Sequence, residues 1–448
     1  MAKSIVTQSE PTGLSSQLQR SWQKAFRERM VGVPREQWRC VGIDIGKYEH
    51  VAVIQDGNGA MLTKPLRFGI SKTQVQRLWD LVDASQTGSS LKPLFAMEPT
   101  GHYYEPMAQM VRRSYGTEQV YLIQARDVAR RRTEWNQGGF KNDEVDACVI
   151  ADLLRQGNGR PYQPVQGVYQ ELYHLERYRW ALEQASTRLK NQIIGHVDRL
   201  YPGLVVQNKE MAERYPALFA SLWQGETPRR LMMLFPNPYL LRRQTEEALF
   251  QAFRAQKYWM ARPYAKKILS AVRDLCLPDP GLATIRSALL LQDLERLGQI
   301  EQKIVYTEML MTGHLSQTWG QWLRPTEVDP VRIACLVATI GDIQHYQSAR
   351  QLFGRSGLYS RCSDSGTRQK RGQGERMVKA GDRHLRRQLL RFTRCMTARY
   401  PSLRSYQARL CQRGKNYITA QIAVARKLTS MIYAVGSQEM PFDPAFLA

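Results

Sequence analysis

Between Cys40 and Gly159 short apolar runs alternate with helix-length segments, and acidic residues stand where the runs end. That alternation is the strongest constraint on the fold, because strands interleaved with helices build an α/β domain. The run Cys-Val-Gly-Ile-Asp-Ile-Gly (40–46) carries Asp44. A second strand fits His50–Ile54, a turn follows at Asp56-Gly57-Asn58-Gly59, and a third strand lies near Met61–Phe68, which together predict a β-meander. Ser71 is placed to cap a helix to Ala84, a strand then ends at Glu98, a helix spans Tyr104–Tyr115, and another strand covers Val120–Ala125. After a loop at Asn136–Phe140, a helix runs Asp143–Leu154 and stops at Gln156-Gly-Asn-Gly159. Asp143 and Asp146, three apart, share one face of it.

Charge identifies the kind of partner. The 448 residues hold 64 Lys and Arg against 40 acids, a net +24, which selects a polyanion such as nucleic acid. Residues 350–415 contribute most of it, with 18 basic residues against Asp364, Glu375 and Asp382, so 18 − 3 = +15. No apolar stretch approaches the ~20 residues of a spanning helix, so no membrane role is expected. The polar start, Met-Ala-Lys-Ser onward, lacks a secretory apolar core, which predicts a cytoplasmic protein. Seven cysteines without a Cys-x-x-Cys pair argue against a disulfide framework and a structural zinc, and read mostly as buried filler. Residues 1–36 form a basic accessory arm with a helix around Leu14–Met30. Leu175, Leu182 and Leu189, flanked by Leu172, Ile193 and Leu200, predict a long coiled-coil-like helix. Leu290, Leu297, Ile304 and Met311 supply a second, so the two helices pair either within one chain or between chains.

Asp44, Glu98, Asp143 and Asp146 form a hard-oxygen set suited to divalent cations. Two such ions ~4 Å apart stabilise the attacking and leaving oxygens of a phosphoryl displacement. Alone, Gly-Ile-Asp-Ile-Gly fits either RNase H/RuvC-like nucleases or actin-like sugar kinases, and Asp143 and Asp146 alone fit an ordinary acidic helix start. The later acids and the basic charge favour the nuclease. Three strings, Gly-Ile-Asp-Ile-Gly-Lys (42–47) with His50-Val-Ala-Val53, Met97-Glu-Pro-Thr-Gly-His-Tyr103 and Lys141-Asn-Asp-Glu-Val-Asp-Ala147, resemble the N-terminal DEDD domain of the insertion-sequence 110/1111 transposases. Ile340-Gly-Asp-Ile343, Tyr346, Gly357-Leu358, Ser365-Gly366 and Lys379-Ala-Gly-Asp-Arg-His-Leu-Arg386 are similar to that family's C-terminal transposase domain.

With the heptads marking a helical coiled-coil region at 161–325, the resemblance implies an α/β RNase H/RuvC-like domain at 37–160, a mainly α-helical transposase domain at 326–436 and a tail at 437–448. It implies strand cleavage and exchange on target and donor DNA, guided by a structured bridge RNA. Asp44, Glu98, Asp143 and Asp146 would hold Mg2+, two ions, and Ser365 would be the nucleophile of a composite site, in a homodimer or homotetramer associated with the bacterial nucleoid. Read without the family, Ser365-Gly366 is a turn, and Ser363 competes with it; Arg368, Lys370, Arg371 and Arg376 offer a cationic cradle for a phosphate. Lys379, Arg383, Arg386, Arg387, Arg391 and Arg394 follow, with 383, 387, 391 and 394 predicted to line one helical face against a nucleic-acid backbone. His102 and His384 have no metal-spaced partners. The stretch Glu327-Val-Asp-Pro330 lacks the glycine of the family's phosphate-holding turn, which puts that contact in doubt. A junction nuclease without serine chemistry, and a non-catalytic nucleic-acid-binding protein, are the alternatives.

Overall fold

The computed structural model describes residues 14–86, 91–135, 142–162, 167–205, 218–359 and 381–447. They fall into two compact units, one within Met1–Pro164 and Tyr359–Val378 and one within Val165–Leu358 and Lys379–Ala448.

The first unit is built on a six-stranded sheet in the order β3-β2-β1-β4-β5-β6. Strands β1 (Cys40–Ile45), β2 (His50–Gln55) and β3 (Leu66–Phe68) form the antiparallel meander, while β4 (Leu94–Met97) and β5 (Val120–Leu122) run parallel to β1. A two-residue β6 (Arg160–Pro161) closes the edge antiparallel to β5, where the sequence suggested only a linker. Proline suits that position, since an edge strand can spare its missing N–H. The flanking helices are α1 (Leu14–Met30), α2 (Lys72–Ala84), α3 (Tyr104–Tyr115), α4 (Ala125–Trp135) and α5 (Asp143–Arg155). Ser71 caps α2 by accepting from the Gln74 amide, as expected. This mixed sheet with helices on its faces fits the α/β, RuvC-like domain that the sequence predicts.

Helix α1 is not a detached arm, which corrects the accessory-arm expectation. Phe26 and Met30 are buried against Trp38, Tyr121, Val149 and Leu153, and Arg29 donates to the Glu118 carbonyl and the Gln119 side chain. Arginine-rich composition hid an apolar stripe of only a few residues.

The second unit contains two 34-residue helices, α6 (Gly167–Leu200) and, after four short helices among the described residues (α7 Thr227–Leu234, α8 Pro238–Arg242, α9 Glu246–Ala255, α10 Arg262–Arg273), α11 (Pro280–Gly313). Within the chain they pack together antiparallel: His314 lies 3.5 Å from Glu171, Arg179 2.6 Å from Glu308, Lys190 3.2 Å from Glu301 and His196 3.6 Å from Asp293. The seam departs from strict heptads, because Leu175, Leu182 and Ile304 are half-buried while Glu176, Ser186, Asp293 and Thr307 lie inside. The remaining helices are α12 (Pro330–Ile340), α13 (Ala349–Ser356), α14 (Arg383–Arg399), α15 (Pro401–Gln412) and α16 (Tyr417–Gln438). Leu336, Phe353, Leu389, Phe392 and Leu428 are among the residues of one core, and Ile193, Phe253, Ile268 and Leu290 belong to another toward the far end of the long pair.

Of the described cysteines only Cys40 and Cys335 are buried, so the filler reading holds for those two; burial pushes both thiols up to about 12, which keeps them unreactive. Among the described residues no helix is long and apolar enough to cross a membrane.

Candidate active site

Asp44 and Glu98 are brought together by register. Parallel pairing matches Ile43 with Met97; Asp44 is the next residue of β1, and Glu98 directly follows the end of β4. Ile43 and Met97 share the apolar core of one face, so alternation turns Asp44 and Glu98 toward the opposite face, where α5 packs. Gly42 permits that packing. A Cβ there would lie 2.2 Å from the Ala147 carbonyl oxygen and 2.5 Å from the Ala151 nitrogen, so only glycine lets α5 come this close.

Helix α5 runs antiparallel to β1. At its end Arg155 lies against the Gly59 turn that follows β2, and at its start Glu144 meets Arg67, whose strand position pairs with Val51 and, through it, Asp44. The start of α5, with Asp143 and Asp146, therefore lies toward the C-terminal ends of the central strands β1 and β4, the ends that carry Asp44 and Glu98. Asn142 caps α5 by accepting from the Glu144 amide, and three acids in the first turn suit the positive end of the helix.

The carboxylates are not equivalent. Asp143 is exposed, Asp44 and Glu98 are half-buried, and Asp146 is 7% exposed. Glu98 accepts a 2.7 Å hydrogen bond from the Thr100 hydroxyl. Arg132 donates to Asp146 at 2.5 Å, while Arg67 reaches Glu49 at 3.0 Å, Glu144 at 3.2 Å and Asp143 at 4.0 Å. Hydrogen bonds to Glu49 and Glu144 push the Arg67 guanidinium further up. One turn and a half further along α5, fully buried Asp152 is held by Arg131 at 2.7 Å and by Arg155. Oxygen donors at one strand edge fit a hard divalent cation in chemistry and placement. As positioned, no three acidic, His or Cys side chains among the described residues are grouped as a ligand set.

Sequence reading passed over α4 and with it Arg131 and Arg132. The available signal was Ala125–Trp135 itself, with Asp127 in its first turn and arginine at 126, 130, 131 and 132. Its sparse apolar residues concealed a helix whose packed face is largely ionic.

Ser365, its rival Ser363, Arg368, Lys370, Arg371, Arg376 and Lys379 lie outside the described residues. Downstream, the arginines of α14 divide. Arg383 and Arg394 are exposed, and Arg383 stacks 4.8 Å over Trp180. Arg386 donates to the Ser356 carbonyl at 2.9 Å. Arg387 and Arg391 both turn to Glu183 of α6, which also meets Arg179 at 3.0 Å. Burial alone would raise the Glu183 carboxyl, but the Arg179, Arg391 and Arg387 guanidiniums hold it below the usual range. The predicted single basic face is thus split between solvent and an internal network. At the glycine-less turn, Glu327 itself takes the left-handed conformation (φ 53°), and Asp329 caps α12 by accepting from the Val331 amide.

Residues 41–202 match the DEDD transposase model of IS110 elements, and residues 327–408 match the model described as "Transposase IS116/IS110/IS902 family". The chain belongs to the IS110 family of transposases. It is 25% identical over 317 residues, 68% of this chain and 73% of the relative, to the "Insertion element IS110 uncharacterized 43.6 kDa protein" of Streptomyces coelicolor. This transposase is accordingly a DNA-processing enzyme whose carboxylate domain points to divalent-metal dependence. The first matched region contains all four acids, and the second contains Ser365 and α14.

Proposed function

We propose that this transposase of a bacterial insertion sequence cleaves and exchanges DNA strands with Asp44, Glu98, Asp143 and Asp146 as ligands for two Mg2+ ions and Ser365 as nucleophile. The observation that carries the reading is the pairing of Ile43 with Met97, which puts Asp44 and Glu98 next to each other in chain position, with the start of α5 tied to the same sheet through Arg67, in a chain of transposase family. Bound there, the cations would supply Lewis-acid stabilisation of charge on the scissile phosphate. Strands β1 and β4 fix Asp44 and Glu98, and the capped start of α5 presents Asp143 and Asp146. Ser365 Oγ forms a bond to phosphorus as the bond from phosphorus to a deoxyribose oxygen breaks. The serine proton departs and the leaving sugar oxygen takes one up, so the number of phosphoester bonds is conserved and rejoining needs no external energy source.

In this reading a structured bridge RNA pairs with target and donor DNA. Arg368, Lys370, Arg371, Arg376 and Lys379, with exposed Arg383 and Arg394, contact phosphates. The working form is a homodimer or homotetramer in the bacterial cytoplasm, with a RuvC-like segment at 37–160, a helical segment at 161–325 and a transposase segment at 326–436.

The test uses the full chain, Mg2+ and DNA carrying an element end, analysed on denaturing gels. Wild type is expected to give a covalent protein–DNA adduct, Ser365→Ala to lose adduct and cleavage, and Asp44→Asn to lose both. Cleavage that persists in Ser365→Ala without adduct would replace this reading with a junction nuclease. Sequencing of copurifying RNA should return one discrete species encoded by the element; a random population counts against guidance.

A further inference from the structure

We propose that Arg132 is the resident countercharge of the carboxylate edge, which a divalent cation must displace from Asp146 in order to bind; this rests on the metal reading above. Arg132 donates to Asp146 Oδ1 at 2.5 Å, with 18% of the arginine side chain and 9% of the aspartate side chain exposed. The guanidinium occupies one lone-pair direction of Oδ1, and its positive charge opposes a second cation on the same carboxylate. A buried carboxylate without any cation would be strongly disfavoured, so the guanidinium and a metal ion compete to neutralise the same charge.

Stapling α4 to α5 does not by itself account for the pair. Arg131 already performs that task through Asp152, which is fully buried and shared with Arg155 and Gln156. The two neighbouring arginines thus face different partners. Arg131 meets an acid locked among three donors at the closed part of α5, whereas Arg132 meets the acid at the open sheet edge. Arg67 adds a second guanidinium to the same edge, bridging Glu49 and Glu144 close to Asp143, but with 44% of its side chain exposed its hold is weaker.

Mn2+ binding to the full chain, followed by loss of the free-ion electron paramagnetic resonance signal at low salt without nucleic acid, tests this independently of catalysis. Arg132→Gln is expected to bind Mn2+ on the order of tenfold more tightly, the factor one charge-assisted hydrogen bond represents. Arg132→Lys keeps the charge without the fork and should fall between the two; Arg131→Gln should lower thermal stability with no gain in affinity. Unchanged or weaker binding in Arg132→Gln overturns the proposal, and if that variant fails to fold, unchanged binding in Arg132→Lys does so. A wild-type chain with no saturable Mn2+ binding that Asp44→Asn removes overturns the metal reading itself, a separate and distinguishable failure.

Discussion

Gly42 shows how much one residue decides. Its missing side chain sets the distance between β1 and α5, and hence the distance between the strand acids and the helix acids. Replacing it with alanine would force the α5 backbone outward. We predict that Gly42→Ala destabilises the first unit by about 3 kcal/mol, as overpacking against rigid backbone does, and weakens Mn2+ binding more than it weakens the fold; chemical denaturation and the binding isotherm measure the two. From sequence the glycine was visible as part of a motif, but the atom it makes room for was not. The same holds for Asp146, whose place in a pattern of acids was legible while its arginine partner was not.

At the level of elements, the contact between α6 and α14 is an ionic and polar seam. Glu176 of α6 is 2% exposed, accepts from Gln388 at 2.9 Å and lies 3.7 Å from His384, which packs edge-on to Trp180. Burial raises the Glu176 carboxyl, against the lowering effects of Gln388, Arg177 and Arg387. A raised acid keeps its proton in the folded state at pH values where the unfolded chain has already released it. Stability from this group is therefore greatest below the unfolded value near 4.5 and falls as pH rises through the folded value. Glu176→Gln, which retains an acceptor for Gln388 and carries no charge, is expected to flatten that slope and to be neutral or stabilising at pH 8, as thermal melts across pH would show. Increased loss of stability at pH 8 would show that the ionised carboxylate is the favoured form. Heptad spacing had indicated two long helices, and both form. It could not decide their direction or partner, because a leucine seam is compatible with several; the contacts from Glu171–His314 through Arg179–Glu308 and Lys190–Glu301 to His196–Asp293 give an antiparallel pair within the chain.

For the whole molecule, the charge of +24 governs association with nucleic acid. Affinity for duplex DNA of any sequence is expected to fall log-linearly with salt, each phosphate contact contributing a slope of roughly −0.9. Arg394→Glu, on the exposed side of α14, should reduce that slope by about one contact, whereas Arg391→Glu should chiefly destabilise the Glu183 network. Titrations at several salt concentrations, paired with melting curves, separate the two; equal effects of both on the slope would return Arg391 to the binding face. Alternation of apolar runs with helical segments determined the α/β unit, the positions of its main strands, and the placement of Asp44 and Glu98 on or just after strands and of Asp143 and Asp146 at a helix start, because period and capping are local properties that sequence carries directly. Tertiary structure decided which charges face one another. Arg132 on Asp146, Arg131 on Asp152, and Arg387 and Arg391 on Glu183 join residues from separate helices, and an arginine bound for solvent has the same local signature as one bound for a buried acid.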